Sequence, residues 1–365
     1  MAASFLRRFV YLVLDGHKPC TLDLHRINIS GFFNPRSLQA LSAAMVDARL
    51  PRPTITFYAP SSEQRSGNMH FILIDRDKVL ATDQTGRASI YDAGLHAMCT
   101  VPSFSKPKDR PVSVAVGDRL YVLDNFHIHG GVGWHCRSLP TPPYHPAHIQ
   151  AYTVVGGSEL WVSTEEDEGT YSFDTGRGAW AKQGDWTLPF CGLAEYVPEL
   201  KLWFGLSSKK GSYLFCAFDL AAAVRRQSAP TPRNVWEDLR PPKEWLQVGS
   251  YLVHLGSARF CIARLFCDTT GKPGDMDDFP PWKMLAVFTA VEVVPYGNKG
   301  LRMIEHKSKR QNELKFGISF DGDRMILRDW ERSEAHKFTS ADRRIRRARI
   351  LDIGLHVYWN SRFSG

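Results

Sequence analysis

Short apolar runs recur along the chain at a near-constant interval. Leu160-Trp161-Val162-Ser163-Thr164 is the clearest of them, and it comes after a glycine pair in "VVGGSELWVST". Upstream, "VGDRLYVLD" repeats the pattern with Leu120 in the place of Leu160, and "DKVLATD" repeats it from Val79. Downstream, "PELKLWFGL" places Leu202 and Trp203 there, and "VGSYLVHLG" places Leu252. Near the start, "FVYLVLD" reads the same way from Tyr11. The intervals from Val79 onward are 41, 40, 42 and 50 residues; the first, from Tyr11 to Val79, is 68 and requires an insertion. Most runs have a partner after a polar break: "TLDLHRI", "ASIYD", "TYSFD", "YLFCAFD" and "RFCIARLF". Runs this short, bounded by turn residues and repeated at about 40 residues, predict an all-β repeat protein.

A finer signature accompanies the repeat. Phe173-Asp174 stands seven residues before Trp180 in "FDTGRGAW", and Tyr91-Asp92 stands seven before Met98 in "YDAGLHAM". The expected roles are structural. The aromatic packs between adjacent sheets, the aspartate accepts backbone N–H bonds in a turn, and the last residue restarts the next strand. Gly156 and Gly157 are expected to permit a tight backbone approach. They precede a strand, whereas a phosphate cradle needs a helix N-terminus behind it, so that reading is rejected.

The stretch "VVGGSELWVS…YSFDTGRGAW" resembles a kelch repeat, and the match is partial over 77–101. The runs "LYVLD", "AYTVVGGSELWVST", "GTYSFDTGRGAW", "AEYVPELKLWFGLS" and "KGLRMIEHKSKR" are similar to a plant family catalogued as domain of unknown function 1668, over roughly residues 9 to 310. The resemblance implies a kelch-like β-propeller of about six four-stranded blades, at 9–30, 52–101, 112–150, 151–191, 192–246 and 247–305. The propeller domain is then 1–310, and 311–365 holds closing strands and a basic extension. Some kelch propellers in plants come after an F-box; with the first strand beginning near Phe9, no room for one is expected. Other kelch-like propellers are copper oxidases, which need a cross-linked tyrosine–cysteine pair, two histidines and a second tyrosine. Those residue types occur here, but no spacing selects a set.

Outside the repeat, "GFFNPRSLQALSAAMVDARLP" (31–51) carries Leu38, Leu41 and Met45 at helical spacing and predicts a short inserted helix. "SAPTPRNVWEDLRPPKEW" (228–245) and "CDTTGKPGDMDDFPPW" (267–282) read as loops that project from one rim. "FGISFDGDRMIL" (316–327) reads as strand, turn, strand, able to close the ring. "ADRRIRRARILDIGLHVYW" reads as a basic helix with Ile345, Ala348 and Leu351 or Leu355 on one side, or as an end with no settled fold.

Composition adds constraints on function. The 365 residues are 43% hydrophobic, 23% charged and 12% aromatic, which fits a folded, strand-rich chain. The net charge is +8, and from Arg328 onward nine Lys/Arg meet five Asp/Glu, so half of the excess sits in the tail. Arg343, Arg344, Arg346, Arg347 and Arg349 dominate it. With Lys307, Lys309 and Arg310 they offer a nuclear-import signal, or an RNA or membrane contact; a solvated basic face of a helix is the simpler reading. No basic and aromatic stripe recurs in the body, so nucleic-acid binding is not expected. The seven cysteines form no CxxC pair and several lie in apolar runs, as free core thiols do in a reducing compartment. The apolar run Phe9 to Leu14 is too short for a signal peptide, and no stretch is long enough to span a membrane.

Two clusters invite metal. His127, His129, His135 and Cys136 lie in "NFHIHGGVGWHC", with His145 and His148 nearby; alternate histidines on a strand point the same way, but zinc-type spacing and an acidic partner are missing. Glu165, Glu166, Asp167 and Glu168 form a consecutive acidic turn without the alternation of a calcium loop. Solvated side chains account for both, and no cofactor is expected. Together these features read as a cytoplasmic protein with a basic-tail route to the nucleus. It is expected to be a non-catalytic scaffold binding a protein partner, not a membrane, through rim loops. The alternative is an oxidase-like propeller enzyme holding a metal or small ligand in a central pocket.

Overall fold

The computed structural model describes residues 7–314 and 348–350, apart from positions 17, 19, 75, 84 and 227 and the loops 34–44, 61–68, 105–111, 117–118, 124–128, 133–134, 145–148, 165–168, 209–212, 238–240, 269–282 and 298–299. The described elements are strands, apart from a 3₁₀ turn at Ser30–Phe32 and a short helix, α1 (Leu220–Arg226). The chain divides into two compact units, Met1–Asn68 with Glu237–Leu351 and Met69–Trp236 with Asp352–Gly365.

Along the chain, β1 (Phe9–Asp15), β2 (Thr21–Asn28) and, after the separate β3 (Val46–Ala48), β4 (Pro53–Tyr58) form an antiparallel meander. The second unit comes next. It holds the four-stranded meander β5 (Met69–Leu73), β6 (Lys78–Asp83), β7 (Ala88–Asp92) and β8 (Ala97–Val101), then β9 (Val112–Val116), β10 (Arg119–Leu123), β11 (His129–Val132) and β12 (His135–Ser138). After these come β13 (Ile149–Val155), β14 (Glu159–Thr164), β15 (Thr170–Asp174) and β16 (Ala179–Gly184), and then β17 (Phe190–Val197), β18 (Leu202–Ser207), β19 (Phe215–Phe218) and β20 (Pro232–Trp236). Parallel pairing of β13 with β17 joins these last two meanders into one eight-stranded sheet. Back in the first unit, β21 (Trp245–Gly256), β22 (Arg259–Asp268), β23 (Lys283–Pro295) and β24 (Leu301–Leu314) form a meander extended by β3, which pairs parallel to β24. Finally β25 (Ala348–Ile350) pairs antiparallel with β1, at Leu12 to Ile350 and Leu14 to Ala348.

Strand alternation sends successive side chains to opposite faces, and in the second unit the two faces meet different neighbours. From β14 and β15, Leu160, Val162, Tyr171 and Phe173 pack with Val114, Tyr121 and Leu123 of the preceding sheet. Trp161, from the other face, packs with Phe190, Trp203 and Phe218 of the succeeding meander. Polar groups tie the same seam. Trp203 Nε1 donates to the carbonyl of Val154 at 2.9 Å, and Thr153 Oγ1 donates to that of Ala194 at 2.6 Å. A buried hydroxyl relay fixes the connection between β16 and β17. Leu188 N donates to Ser163 Oγ, Ser163 and Thr170 hydroxyls lie 3.0 Å apart, and Thr170 donates to Trp186 O at 2.6 Å. These bonds satisfy groups that would otherwise be costly to bury.

In the first unit, Val10, Leu12, Leu14 and Ile27 pack on Val253, Ala263, Leu265, Ala286 and Phe288. Cys261 belongs to this core, and burial pushes its thiol up to about 12, as for an inert packing residue. The segment expected to be a helix over 31–51 is a 3₁₀ turn at its start and a strand at its end; Leu38 and Leu41 lie outside the described residues. Partners outweigh local spacing here. Phe32 enters the core with Lys309 Nζ 4.7 Å from its ring, and Phe33 lies against His306 and Arg259, both held by the Glu292 carboxylate at 3.0 Å. At the other end Met45 covers Phe266, Leu285 and Val287, and Arg310 grips Asp47 with two bonds. Lys307, Lys309 and Arg310, read from sequence as part of a nuclear-import signal, are thus strand residues of β24.

The C-terminal expectation also changes. Ala348–Ile350 is a strand, not helix, because the free edge of β1 offers backbone partners that a helix would leave unpaired. It supplies the added strand that "FGISFDGDRMIL" was expected to supply; that stretch lies outside the described residues, as do Arg343, Arg344, Arg346 and Arg347.

Two outcomes are expected. Trp161→Ala removes a fully buried indole between two meanders and costs about 3–5 kcal/mol, measured by urea unfolding monitored by circular dichroism. His25 is buried with Nδ1 2.7 Å from Pro51 O; burial is the larger effect and lowers its pKa, while the Pro51 bond and Asp23 act the other way. The unfolded chain therefore binds the proton more readily, and stability falls as pH drops below the ordinary histidine value of about 6.5 toward the folded pKa. His25→Asn flattens that slope.

Candidate interaction surface

The sequence's aromatic–Asp signature builds a specific hairpin. In β7–β8, Asp92 Oδ1 accepts bonds from Gly94 N at 2.9 Å and Leu95 N at 3.0 Å. In β15–β16, Asp174 Oδ1 accepts from Gly176 N at 2.8 Å and Arg177 N at 2.9 Å. The N–H of Arg177 is the main cause that holds the exposed Asp174 carboxyl below its ordinary range. Both turns then need a left-handed residue, Gly178 at φ 67° in one and His96 at φ 52° in the other. Glycine takes that conformation freely; His96 takes it with Nδ1 3.1 Å from Tyr91 Oη. A third copy, Phe218-Asp219, diverges. Asp219 Oδ1 accepts from Ala222 N at 2.8 Å, but the alanine-rich chain after it continues as α1.

The aromatics of the two hairpins meet different cover. Phe173 lies 6.1 Å from Tyr121 of the neighbouring sheet and 5.1 Å from Trp180. Trp180 is also packed edge-on by Tyr144 at 5.5 Å and donates to Pro140 O at 3.0 Å. Tyr91 is buried and pairs across the ladder with Met98, the residue in Trp180's place. Met98 is 48% exposed, and Leu95 at the hairpin tip is 78% exposed.

This makes β8 an unusual end strand. An end strand turns every second N–H and C=O away from its sheet, an invitation to pairing that proteins commonly block with charge or proline. Several of the strands that end a meander carry such blocks, whereas the uncharged first strands β5, β9 and β21 hold mostly buried or half-buried residues. β4 begins at Pro53, β16 contains Lys182 ion-paired to Asp185, and β20 contains Pro232 and Arg233. The β24 edge is partly covered by β3, which carries Asp47. β8 reads Ala-Met-Cys-Thr-Val, exposed through its first four residues, and from Gly94 to Ser103 the sole titratable side chains are those of His96 and Cys99.

The remaining candidates occupy scattered places. Gly156 and Gly157 form the β13–β14 turn at φ 63° and 74°, and a Cβ on either would meet nothing within 4 Å. Their requirement is backbone conformation, not the close approach expected from sequence. Trp161 and Trp203 are buried in the seam between the β13–β16 and β17–β20 meanders. His129 is opposite Ser138 and His135 opposite Val132 in the β11–β12 ladder, with Cys136 opposite Gly131. His127 and the acidic run Glu165 to Glu168 lie outside the described residues. Arg349 stands in β25 opposite Val13. Sequence reading passed over Leu95 and β8 itself; the missing charge across "GLHAMCTVPS" is the signal that finds them.

Gly157→Ala is expected to destabilise the chain by about 1–2 kcal/mol despite the open space around it, with Gly157→Asn milder, both read from thermal unfolding.

Comparison with known proteins adds a family but no activity. No curated protein matches the chain. Among solved structures, the hydrazine synthase of Kuenenia stuttgartiensis aligns with a TM-score of 0.39 and 12% identity, over 65% of this chain and 64% of that one. The N-terminal domain of Nup159 aligns with a TM-score of 0.28 and 13% identity, over 81% of this chain and 57% of that one. The chain thus spans less than two thirds of either. No described helix is long and apolar enough to cross a membrane. The family described as "Protein of unknown function (DUF1668)" matches residues 7–311, and the chain belongs to it.

Proposed function

We propose that this chain is a kelch-like propeller of six blades that serves as a non-catalytic protein-interaction scaffold. The meanders succeed one another at the repeat interval; five run through four strands in chain order, and the first has β25 beside β1, β2 and β4. A sheet that takes strands from both ends of the chain is the usual device for closing a ring of repeats. The observation that carries the interaction role is the uncharged β8 edge with Leu95 and Met98 exposed beside it. A paired strand holds the backbone of this surface in place, which lowers the ordering cost of binding. Cys20, Cys99, Cys191, Cys216 and Cys261 are free thiols, which supports work in a reducing compartment such as the cytoplasm.

The test is affinity purification of the full chain beside its Leu95→Glu/Met98→Glu variant, with metal analysis of the purified protein. The expected result is a partner recovered reproducibly by the parent chain and lost by the variant. Stoichiometric copper or zinc would overturn the scaffold reading in favour of an oxidase-like enzyme. Ring closure is checked separately: truncation after Leu314 is expected to lower Tm, by about 2–4 °C per kcal/mol lost.

A further inference from the structure

We infer that the β8 edge is a strand-addition site: it takes an extended, uncharged segment of a partner protein as a further antiparallel strand of the β5–β8 sheet. The inference rests on the scaffold reading and names the chemistry of the partner. Backbone groups directed away from β7 supply the hydrogen bonds that an incoming strand needs, and such bonds carry affinity in strand addition. The side chains supply selection. A residue opposite Met98 lies in the row that continues to Tyr91, and one opposite Cys99 lies in the row that continues to Ile90. Both rows are apolar, so apolar or β-branched residues fit them.

Charge decides the class of partner. No carboxylate, lysine or arginine occurs from Gly94 to Ser103. A charged strand laid along this edge would lose hydration without meeting a counter-ion, whereas a neutral one would not. The length is set as well. β8 has five residues and is succeeded by Pro102, so the added strand spans about 17 Å and ends there. At the other end it runs past the exposed Leu95. A second copy of this chain is the weaker occupant: five residues from each of two edges fall far short of the roughly 1,200–2,000 Å² that stable interfaces bury.

The experiment uses the full chain and a capped peptide, Ser-Thr-Val-Thr-Val-Thr-Ser, beside a form with lysine for the central threonines. Binding is measured by fluorescence anisotropy, and the site by hydrogen–deuterium exchange. The neutral peptide is expected to slow exchange of the amides of residues 97–101 and to bind at least about tenfold more tightly than the lysine form. Met98→Lys and Thr100→Lys, each with Tm unchanged, are expected to weaken binding by at least about tenfold. Three results would overturn the inference: no protection of β8 at millimolar peptide, binding undiminished in both variants, or self-association of the parent chain that Thr100→Lys abolishes. A partner captured by the full chain and still captured by Thr100→Lys also overturns it, while leaving the scaffold reading intact.

Discussion

A four-stranded meander with apolar side chains on both faces cannot bury either face by itself. That constraint organises the whole molecule. Val79 and Leu80 are adjacent in β6 and both buried, as are Leu160 and Trp161 in β14 and Leu202 and Trp203 in β18. Each such pair commits its strand to cover on two sides, and within each unit that cover comes from neighbouring sheets. The large aromatics belong to this arrangement. Trp161, Phe173 and Trp203 are shared between meanders, so one residue stabilises two repeats, and the interval between repeats cannot drift without unpacking both.

The aspartate turn is the second constraint, and it is local. An oxygen two and three residues upstream of unpaired N–H groups fixes the exit from a strand without help from the core. Asp92 and Asp174 use it to reverse the chain, and Asp219 uses it to start a helix. The residues C-terminal to the aspartate decide between these outcomes. A glycine two residues on and a left-handed residue two further produce a hairpin; a run of alanines continues as α1.

These two features explain why part of the fold could be read from the sequence. Paired apolar positions and the aromatic–Asp step are short-range patterns, so the strands and their interval were legible. The segments that depend on distant partners were not. The helical spacing of Leu38, Leu41 and Met45 is a local preference, but Phe32, Met45 and Asp47 are bound by residues more than 200 positions away. Ala348–Ile350 likewise takes its conformation from β1. The interaction surface was hidden for another reason. Sequence reading looks for residues that carry chemistry, whereas β8 is distinguished by lacking charge while being exposed, and that combination is visible only once the strand is known to be last in its sheet.

The pairing of β1 with β25 also sets the timetable of biogenesis. As the chain is synthesised, the β1 edge emerges more than 300 residues before its partner at Ala348–Ile350. At about 5–20 residues per second, the ribosome takes about 17–67 s to make the intervening chain. Throughout that time Leu12, Val13 and Leu14 form an apolar edge awaiting a strand, beside a sheet from β21–β24 that also emerges late. The described strands of the second unit all lie between Met69 and Trp236 and are made well before then. The nascent chain is therefore asymmetric: a finished middle is flanked by an N-terminal sheet that needs protection, and that early sheet is where a chaperone has most to shield.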